Sequence, residues 1–410
     1  MARTGISREL KLVGMRCWYR TRRVAMPSRR VDLTLPSSTI YDVIVVGARV
    51  AGAASALLLA RRGARVLVLE RGALGSDTLS THFIWPRGAR RLEEMGVLEA
   101  IIGARTPPIR RITFEPGGGA VVVGTPAQAA LCPRRTVLDR LLVEAARDAG
   151  AEFRHGVAVD GLINEGGRVR GVRTGSTAER AEIVVGADGR RSDVARMADA
   201  EILEAHPPQT AGFYAYFEGL DLEGAEFRLR EGRLTYAWQT SDGQACLYVA
   251  GRQGGFGALR EQVRAGGLAS AAIEDPSLSE RLAAARQVSR LHGFAEQGPL
   301  RRQRSGPGWV LVGDAASFKD PTAGMGISEA FDDAAWLASG APPEEREPES
   351  LRIFNFCRRV AELEEVNDRL AATYRQVASQ SDWSEGWFAV LGGELEPSDF
   401  FGQFAAAMGG

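Results

Sequence analysis

The stretch GARVAG, residues 47–52, joins a β-branched apolar run to one rich in alanine and leucine. It is a place where the chain could hold a phosphate. Gly47 would permit a tight strand-to-helix turn, and Gly52 would let the helix pack closely on the strand. The helix start would turn free N–H groups and the positive end of a dipole toward a pyrophosphate. The matching G-x-G-x-x-G pattern carries glycine at its middle position, whereas this chain has Ala48 and then Arg49. Glu70, eighteen residues past Gly52 and followed by Arg71, stands where a carboxylate accepts hydrogen bonds from ribose hydroxyls. A βα turn with no ligand shares this local pattern, so by itself the stretch leaves both readings open.

Two further stretches carry chemistry. GADGRRSDVAR places Asp188 and Gly189 just after an apolar strand, and VLVGDAASFKDPTAGMGI places Gly313 and Asp314 after another. An acid at the end of a strand can hold a sugar-like chain. The run Pro321, Gly324, Met325, Gly326 and Ile327 opens a helix. There, backbone N–H groups can approach an electron-rich planar ring. Each stretch has a plainer reading, as a surface Asp-Gly turn or as a loop before a helix.

These residues need a scaffold. Residues 41–46 and 64–69 read as buried strands, and residues 52–62 as the helix between them, closed by Gly63. Residues 87–100 and 135–150 read as helices, and residues 110–123 as two short strands about a glycine-rich turn. From about 212 to 293 the pattern changes to antiparallel alternation, as in GFYAYFEGL and LTYAWQT. The first pattern resumes at GWVLVGDAASF. The sequence therefore predicts an α/β fold: a discontinuous Rossmann-like domain of 40–110, 130–205 and 294–340, with an inserted, mostly antiparallel sheet domain of 111–129 and 206–293. Residues 341–350 read as a linker, residues 351–377 as a helix, and the tail as aromatic and glycine-rich.

Composition narrows the function. The 410 residues balance 51 basic against 51 acidic side chains, which gives no bulk attraction to nucleic acid. Only Lys11 and Lys319 are lysines, an arginine bias that fits a GC-rich bacterial genome. The apolar run 40–60 contains Asp42, Arg49 and several glycines, so it reads as strand plus helix rather than a membrane span. Cys17, Cys132, Cys246 and Cys357 are scattered, and His82, His155, His206 and His292 lack ligand spacing. The expectation is no disulfide framework, no metal and a cytoplasmic location. The arginine-rich residues 1–39 read as a disordered or mis-assigned extension, with Met15 and Met26 as alternative starts.

Taken in order, the three motifs resemble the class A flavoprotein monooxygenases and, more broadly, the para-hydroxybenzoate hydroxylase-like FAD oxidoreductases that include the geranylgeranyl reductases. The resemblance covers about residues 40–340 and implies a glutathione reductase-type FAD-binding domain. It implies that Gly47, Ala48, Arg49 and Gly52 meet the FAD pyrophosphate and that Glu70 and Arg71 lie at the adenosine ribose. Arg135 would reach the FAD from its helix, and the Val159 backbone would meet the adenine. Asp188 and Gly189 match an Asp-Gly motif associated with FAD and NAD(P)H. Gly313 and Asp314 would hold the ribityl chain, and Pro321 to Ile327 would line the flavin. The departures are Arg49, Ser317 where many members have histidine, and Gln239 where a proline is usual.

The same resemblance implies that NADPH or NADH binds transiently and reduces FAD. Molecular oxygen then gives a C4a-hydroperoxide that hydroxylates a small molecule. No second G-x-G-x-x-G follows a strand, which leaves electron supply from another protein open. Tyr214, Tyr216, Tyr236, Trp238 and Tyr248 are the aromatics that could line a pocket for an apolar or aromatic substrate; the bland alternative is a packed sheet face. His82 is the candidate acid or base, against a satisfied structural histidine. The rival functions are a reductase of isoprenoid double bonds, partly matched by Tyr236 and Trp238, and a non-catalytic flavin-binding protein. A flavin halogenase ranks below these because the W-x-W-x-I-P stretch is absent. The oligomeric state is not legible.

Overall fold

Apolar runs with no alternation make sense only if both faces of a sheet are covered. The computed structural model, which describes residues 40–361 apart from 74, 117–120, 125–128, 231 and 273–275, shows this arrangement. In chain order the elements used below are β1 (Ile40–Val46), α1 (Val50–Ala60), β2 (Val66–Glu70), α2 (Pro86–Glu94), β3 (Arg111–Pro116), α3 (Arg135–Asp148), β4 (Glu152–His155) and β5 (Thr177–Gly186). They continue with β6 (Thr210–Glu218), β7 (Ala225–Arg230), β8 (Arg233–Gln239), β9 (Gln244–Arg252), β10 (Trp309–Leu311), α4 (Gly326–Ser339) and α5 (Pro343–Ala361). Residues 1–39, the turn at 117–120, the part of the expected 351–377 helix beyond 361, and Trp383, Trp387, Phe400 and Phe404 lie outside the described residues.

The first sheet contains five parallel strands in the order β10, β5, β1, β2, β4. Val43 and Val45 of β1 face α1, α3 and α4, where they pack with Leu57, Leu138, Leu142 and Phe331. Ile44 and Val46 face the other way, onto Leu162, Val172 and Val194. Two-sided cover explains the unbroken apolar runs. The chain leaves β1 toward β2 on one side and later returns to β5 on the other. The carboxyl end of β1 is thus a topological switch point, where open α/β sheets bind ligands.

The second sheet takes β3 and β6 to β9, in the order β6, β9, β8, β7, β3. Its pairs are antiparallel apart from β7 with β3, which run parallel. Alternation decides its faces. Phe213, Ala215 and Phe217 pack against Leu259 and Leu278 of two covering helices. Tyr214, Tyr216, Tyr236, Trp238 and Tyr248 form the opposite face, with Phe83 and Trp85 packed on it.

The structure departs from the sequence reading in three places. α1 starts at Val50, so Gly52 lies in its first turn rather than at its start. The helix expected over 87–100 is split by Gly96, whose φ of 63° ends the first segment. Residues 343–350 are not a linker but the first turns of α5, with Arg346 and Ser350 buried.

Candidate functional site

At the switch point the strand ends open onto a groove of about 550 Å³. Gly47 makes the turn at φ 103°, and a Cβ there would meet the Ala187 carbonyl oxygen at 2.5 Å. A Cβ on Gly52 would lie 1.8 Å from the Gly47 carbonyl oxygen. Both glycines are therefore steric requirements of the turn. Gly52 lies beneath the turn, while Gly47 borders the groove. The Ala48 N–H donates to Glu70 Oε2 at 2.8 Å and the Gly72 N–H to Oε1 at 2.7 Å, which ties the two strand ends together. Each Glu70 oxygen keeps a lone pair for a ligand hydroxyl.

Arg49 is the N-terminal cap of α1, in extended backbone that needs no glycine. Its guanidinium turns away from the helix end. Nη1 lies 3.2 Å from Asp139 Oδ2, and Nη2 donates to Ser76 Oγ at 3.2 Å. Asp139 also accepts from Arg135 Nε at 3.0 Å and Nη2 at 3.1 Å. Two guanidiniums thus share one buried carboxylate, leaving a net positive charge beside the free N–H groups of α1. The expectation that Arg49 meets the pyrophosphate did not include this carboxylate. Asp139 stands four residues after Arg135, a spacing that reads as an ordinary helical ion pair.

The remaining expected residues divide by position. Arg71 and Val159 border the groove, and Arg71 is paired with Asp193. Asp188 and Gly189 also border it. The Asp188 carboxylate accepts from Ser192 Oγ at 2.5 Å and from the Asp193 and Val194 N–H groups, so it caps the helix Asp193–Met197. Burial raises its pKa against those hydrogen bonds. Asp314 borders the groove half-buried and has no hydrogen bond among the described residues. Burial pushes its carboxyl up, while Lys319 and Arg135 pull it down. Gly313 is buried, and its N–H donates to Asp333 at 2.8 Å.

Pro321, Gly324, Gly326 and Ile327 border the far end of the groove, whereas Met325 is buried in the aromatic layer. Gly324 turns at φ 65°, the Trp85 indole N–H donates to the Ala323 carbonyl at 2.9 Å, and the Asp320 carboxylate caps the turn at Thr322. α4 starts there with no side-chain cap, so its first N–H groups are available to a ligand. The cradle fits FAD: a turn open only to glycine, bare helix starts at each end, and between them a carboxylate without a partner.

The five aromatics are packed. All are buried; Tyr214 stacks on His292, and Tyr236 stacks on Tyr248. Tyr214 and Tyr216 do not border the groove. Tyr236, Trp238 and Tyr248 border a void of about 10 Å³, room for roughly one water. Cross-strand stacking fills the volume expected of a pocket. His82, on the groove wall, is fully buried, and its Nε2 is hydrogen-bonded to the Tyr216 hydroxyl. Burial, then the Arg135, Arg134 and His292 charges, hold it well below its ordinary pKa, so it is neutral near pH 7. That disfavours the acid half of the role expected for it.

Comparison with known proteins places these features in company. The family model for an FAD binding domain matches residues 40–227. Over 329 residues the chain is 30% identical to 6-methylpretetramide 4-monooxygenase of Streptomyces rimosus, covering 72% of this chain and 73% of that one. It is 38% identical over 172 residues to the probable electron transfer flavoprotein-quinone oxidoreductase YdiS of Escherichia coli (strain K12), and this match spans only 38% of that relative's length. The crystal structure of P. aeruginosa PqsL in complex with 2-aminobenzoylacetate shares the fold, with a TM-score of 0.72 at 22% identity over 82% of this chain and 100% of that one.

Proposed function

The chain belongs to the class A flavoprotein monooxygenase family of FAD-dependent oxidoreductases, and on that premise we propose that it is an NAD(P)H-dependent monooxygenase of an apolar or aromatic small molecule. The observation that carries the substrate side is a shared wall. Thr81, Phe83, Pro321 and Gly324 border both the groove and the aromatic void. These residues lie between the far end of the groove and the packed aromatic face. A relative named for monooxygenation, similar over most of its length, supports the reaction type.

When bound, FAD supplies the redox chemistry: with two electrons from NADPH or NADH, one atom of O₂ enters the substrate and the other leaves as water. The protein's part is to bind, orient and polarise. Gly47 and the N–H groups of α1 would hold the pyrophosphate, with Gly52 letting the helix pack beneath the turn and Arg49 and Arg135 adding charge. Glu70 and the Val159 backbone would hold the adenosine half, and Asp314 the ribityl chain. The start of α4 at Gly326 would set a positive dipole end against negative charge on the bound ring. A substrate there would have to widen the void, at Phe83 or at the turn 321–324. Residues 40–110, 130–205 and 294–340 form the cofactor domain, and 111–129 with 206–293 the substrate domain.

The test is to purify the protein, record its flavin spectrum, and follow oxygen uptake and NAD(P)H oxidation against a panel of phenols and fused-ring aromatics. Substrate-dependent uptake of one O₂ per NAD(P)H is expected. Colourless protein that takes up no FAD, or substrate reduction without oxygen consumption, would overturn the proposal.

A further inference from the structure

Phe83 stands where the groove and the aromatic face meet. It is buried, yet it borders both the far end of the groove and the void behind it. Three rings pack against it: Trp85 at 4.7 Å between centroids and 72° between planes, Trp238 at 5.1 Å and 55°, and Phe227 at 5.3 Å and 87°. Edge-on and tilted contacts of this kind suit any ring of phenyl size. Gly324 lies alongside: a Cβ added there would be 3.9 Å from the Phe83 Cβ. No charged side chain borders the void.

The chain on either side of Phe83 is tied down, and Phe83 is not. The Thr81 carbonyl accepts from Trp238 Nε1 at 3.1 Å and from Cys132 Sγ at 3.4 Å. Ile84 exchanges backbone hydrogen bonds of 2.8 and 3.0 Å with Leu131. Among the described residues, neither the N–H nor the carbonyl of Phe83 takes part in a backbone hydrogen bond. The turn across from it is held by four hydrogen bonds. Asp320 accepts from the Thr322 N–H at 3.0 Å and from Thr210 Oγ1 at 2.7 Å. The Gly324 N–H donates to the Pro321 carbonyl at 3.0 Å, and Trp85 Nε1 donates to the Ala323 carbonyl at 2.9 Å. Widening the void at the turn strains buried hydrogen bonds, whereas swinging the Phe83 ring out breaks none.

We infer that the Phe83 ring fills the aromatic-ring subsite of this protein as a stopper supplied by the chain itself. A single uncharged aromatic ring of the substrate takes its place among Trp85, Phe227 and Trp238. In that position the ring lies beside the turn at 321–324. Because the cage is apolar, a hydroxyl on the ring points out toward the groove. The inference rests on the FAD reading for what lies on the groove side. It adds where the substrate ring sits and which residue must leave to admit it.

The experiment uses the full chain, with and without FAD, and titrates phenol and toluene by calorimetry. In the wild-type protein either ligand must wait for a stopper-out state populated at about 0.1–10%. Phe83→Ala should therefore bind both at least about tenfold more tightly. Phe83→Leu, which keeps more of the packing, should move the same way by less. Phe217→Ala makes an equal truncation on the helix-covered face of the same sheet and serves as the control for a sealed cavity. It should take up toluene only, because a phenol hydroxyl would be stranded there. With FAD bound, phenol should shift the visible flavin band in Phe83→Ala and leave it unmoved in Phe217→Ala. Unchanged phenol affinity in both Phe83 variants, an equal phenol gain in Phe217→Ala, or phenol binding to Phe83→Ala that leaves the flavin band unmoved would sink the inference. Failure of the wild-type protein to take up FAD would instead defeat the groove reading, and calorimetry on the three variants would still decide whether Phe83 fills a ring site.

Discussion

Arg49 shows how a side chain can stand at a position the fingerprint leaves bare. Its backbone is ordinary, and the turn's real steric demands fall on Gly47 and Gly52. The guanidinium is committed to Asp139 and Ser76, so it fastens the segment that walls the groove to α1 and α3. Arg49→Gly should remove the net positive charge beside α1 and so weaken FAD binding modestly, and it should lower stability by less than ~1 kcal/mol in urea unfolding, since the arginine side of the pair is partly solvated. Asp139→Ala should cost more, about 3 kcal/mol, because it leaves two guanidiniums facing each other with no counter-charge. If the two variants unfold alike, the shared-carboxylate account is wrong. Gly47, Gly52 and Glu70 were legible because steric and hydrogen-bonding needs show in local spacing. Asp139 was not, since its second partner, Arg49, comes from another element.

α5 carries the same lesson a level up. Its first turns are rich in proline and glutamate and read as a solvated linker. In the structure Arg346 is buried, donating to Asp333 at 2.7 Å and to Glu329 at 3.3 Å, and Arg304 lies 3.1 Å from Asp333. Lys319 also pairs with Glu329. A charge reads as exposed until its partners are located, and these come from residues 304, 319, 329 and 333. The network reaches the groove through Asp333, which accepts the Gly313 N–H beside Asp314. Arg346→Ala should cost about 3–5 kcal/mol by breaking a buried pair, measured by denaturant unfolding. Despite its burial, the Arg304 and Arg346 charges hold the Asp333 carboxyl down at about 2. The unfolded value is near ~4. Its contribution to stability is thus complete above about pH 4 and lost as pH falls from there toward 2. Asp333→Asn should flatten that part of the acid-unfolding curve, and an unchanged curve would assign the acid limb to other groups.

Across the whole molecule, the periodicities that separate a two-faced parallel sheet from a one-sided antiparallel sheet were readable before any coordinate. The aromatic face was readable too, but not its packing, because alternation says which side a residue takes and not what fills the space beyond it. Adding FAD at a hundredfold excess over its Kd should stabilise the fold by about 2.7 kcal/mol. FMN, which lacks the adenosine half that Glu70 and Val159 would meet, should give a distinctly smaller thermal shift; equal shifts would place no ligand at β2. The groove also has a history in time. Its turn at Gly47 and its acid at Asp314 are 267 residues apart, with the whole second sheet made between them. During synthesis the phosphate turn leaves the ribosome long before the loop at 321–326 exists. The cofactor therefore cannot template the early nascent chain: the phosphate turn must wait, unliganded, until the loop at 321–326 has been made.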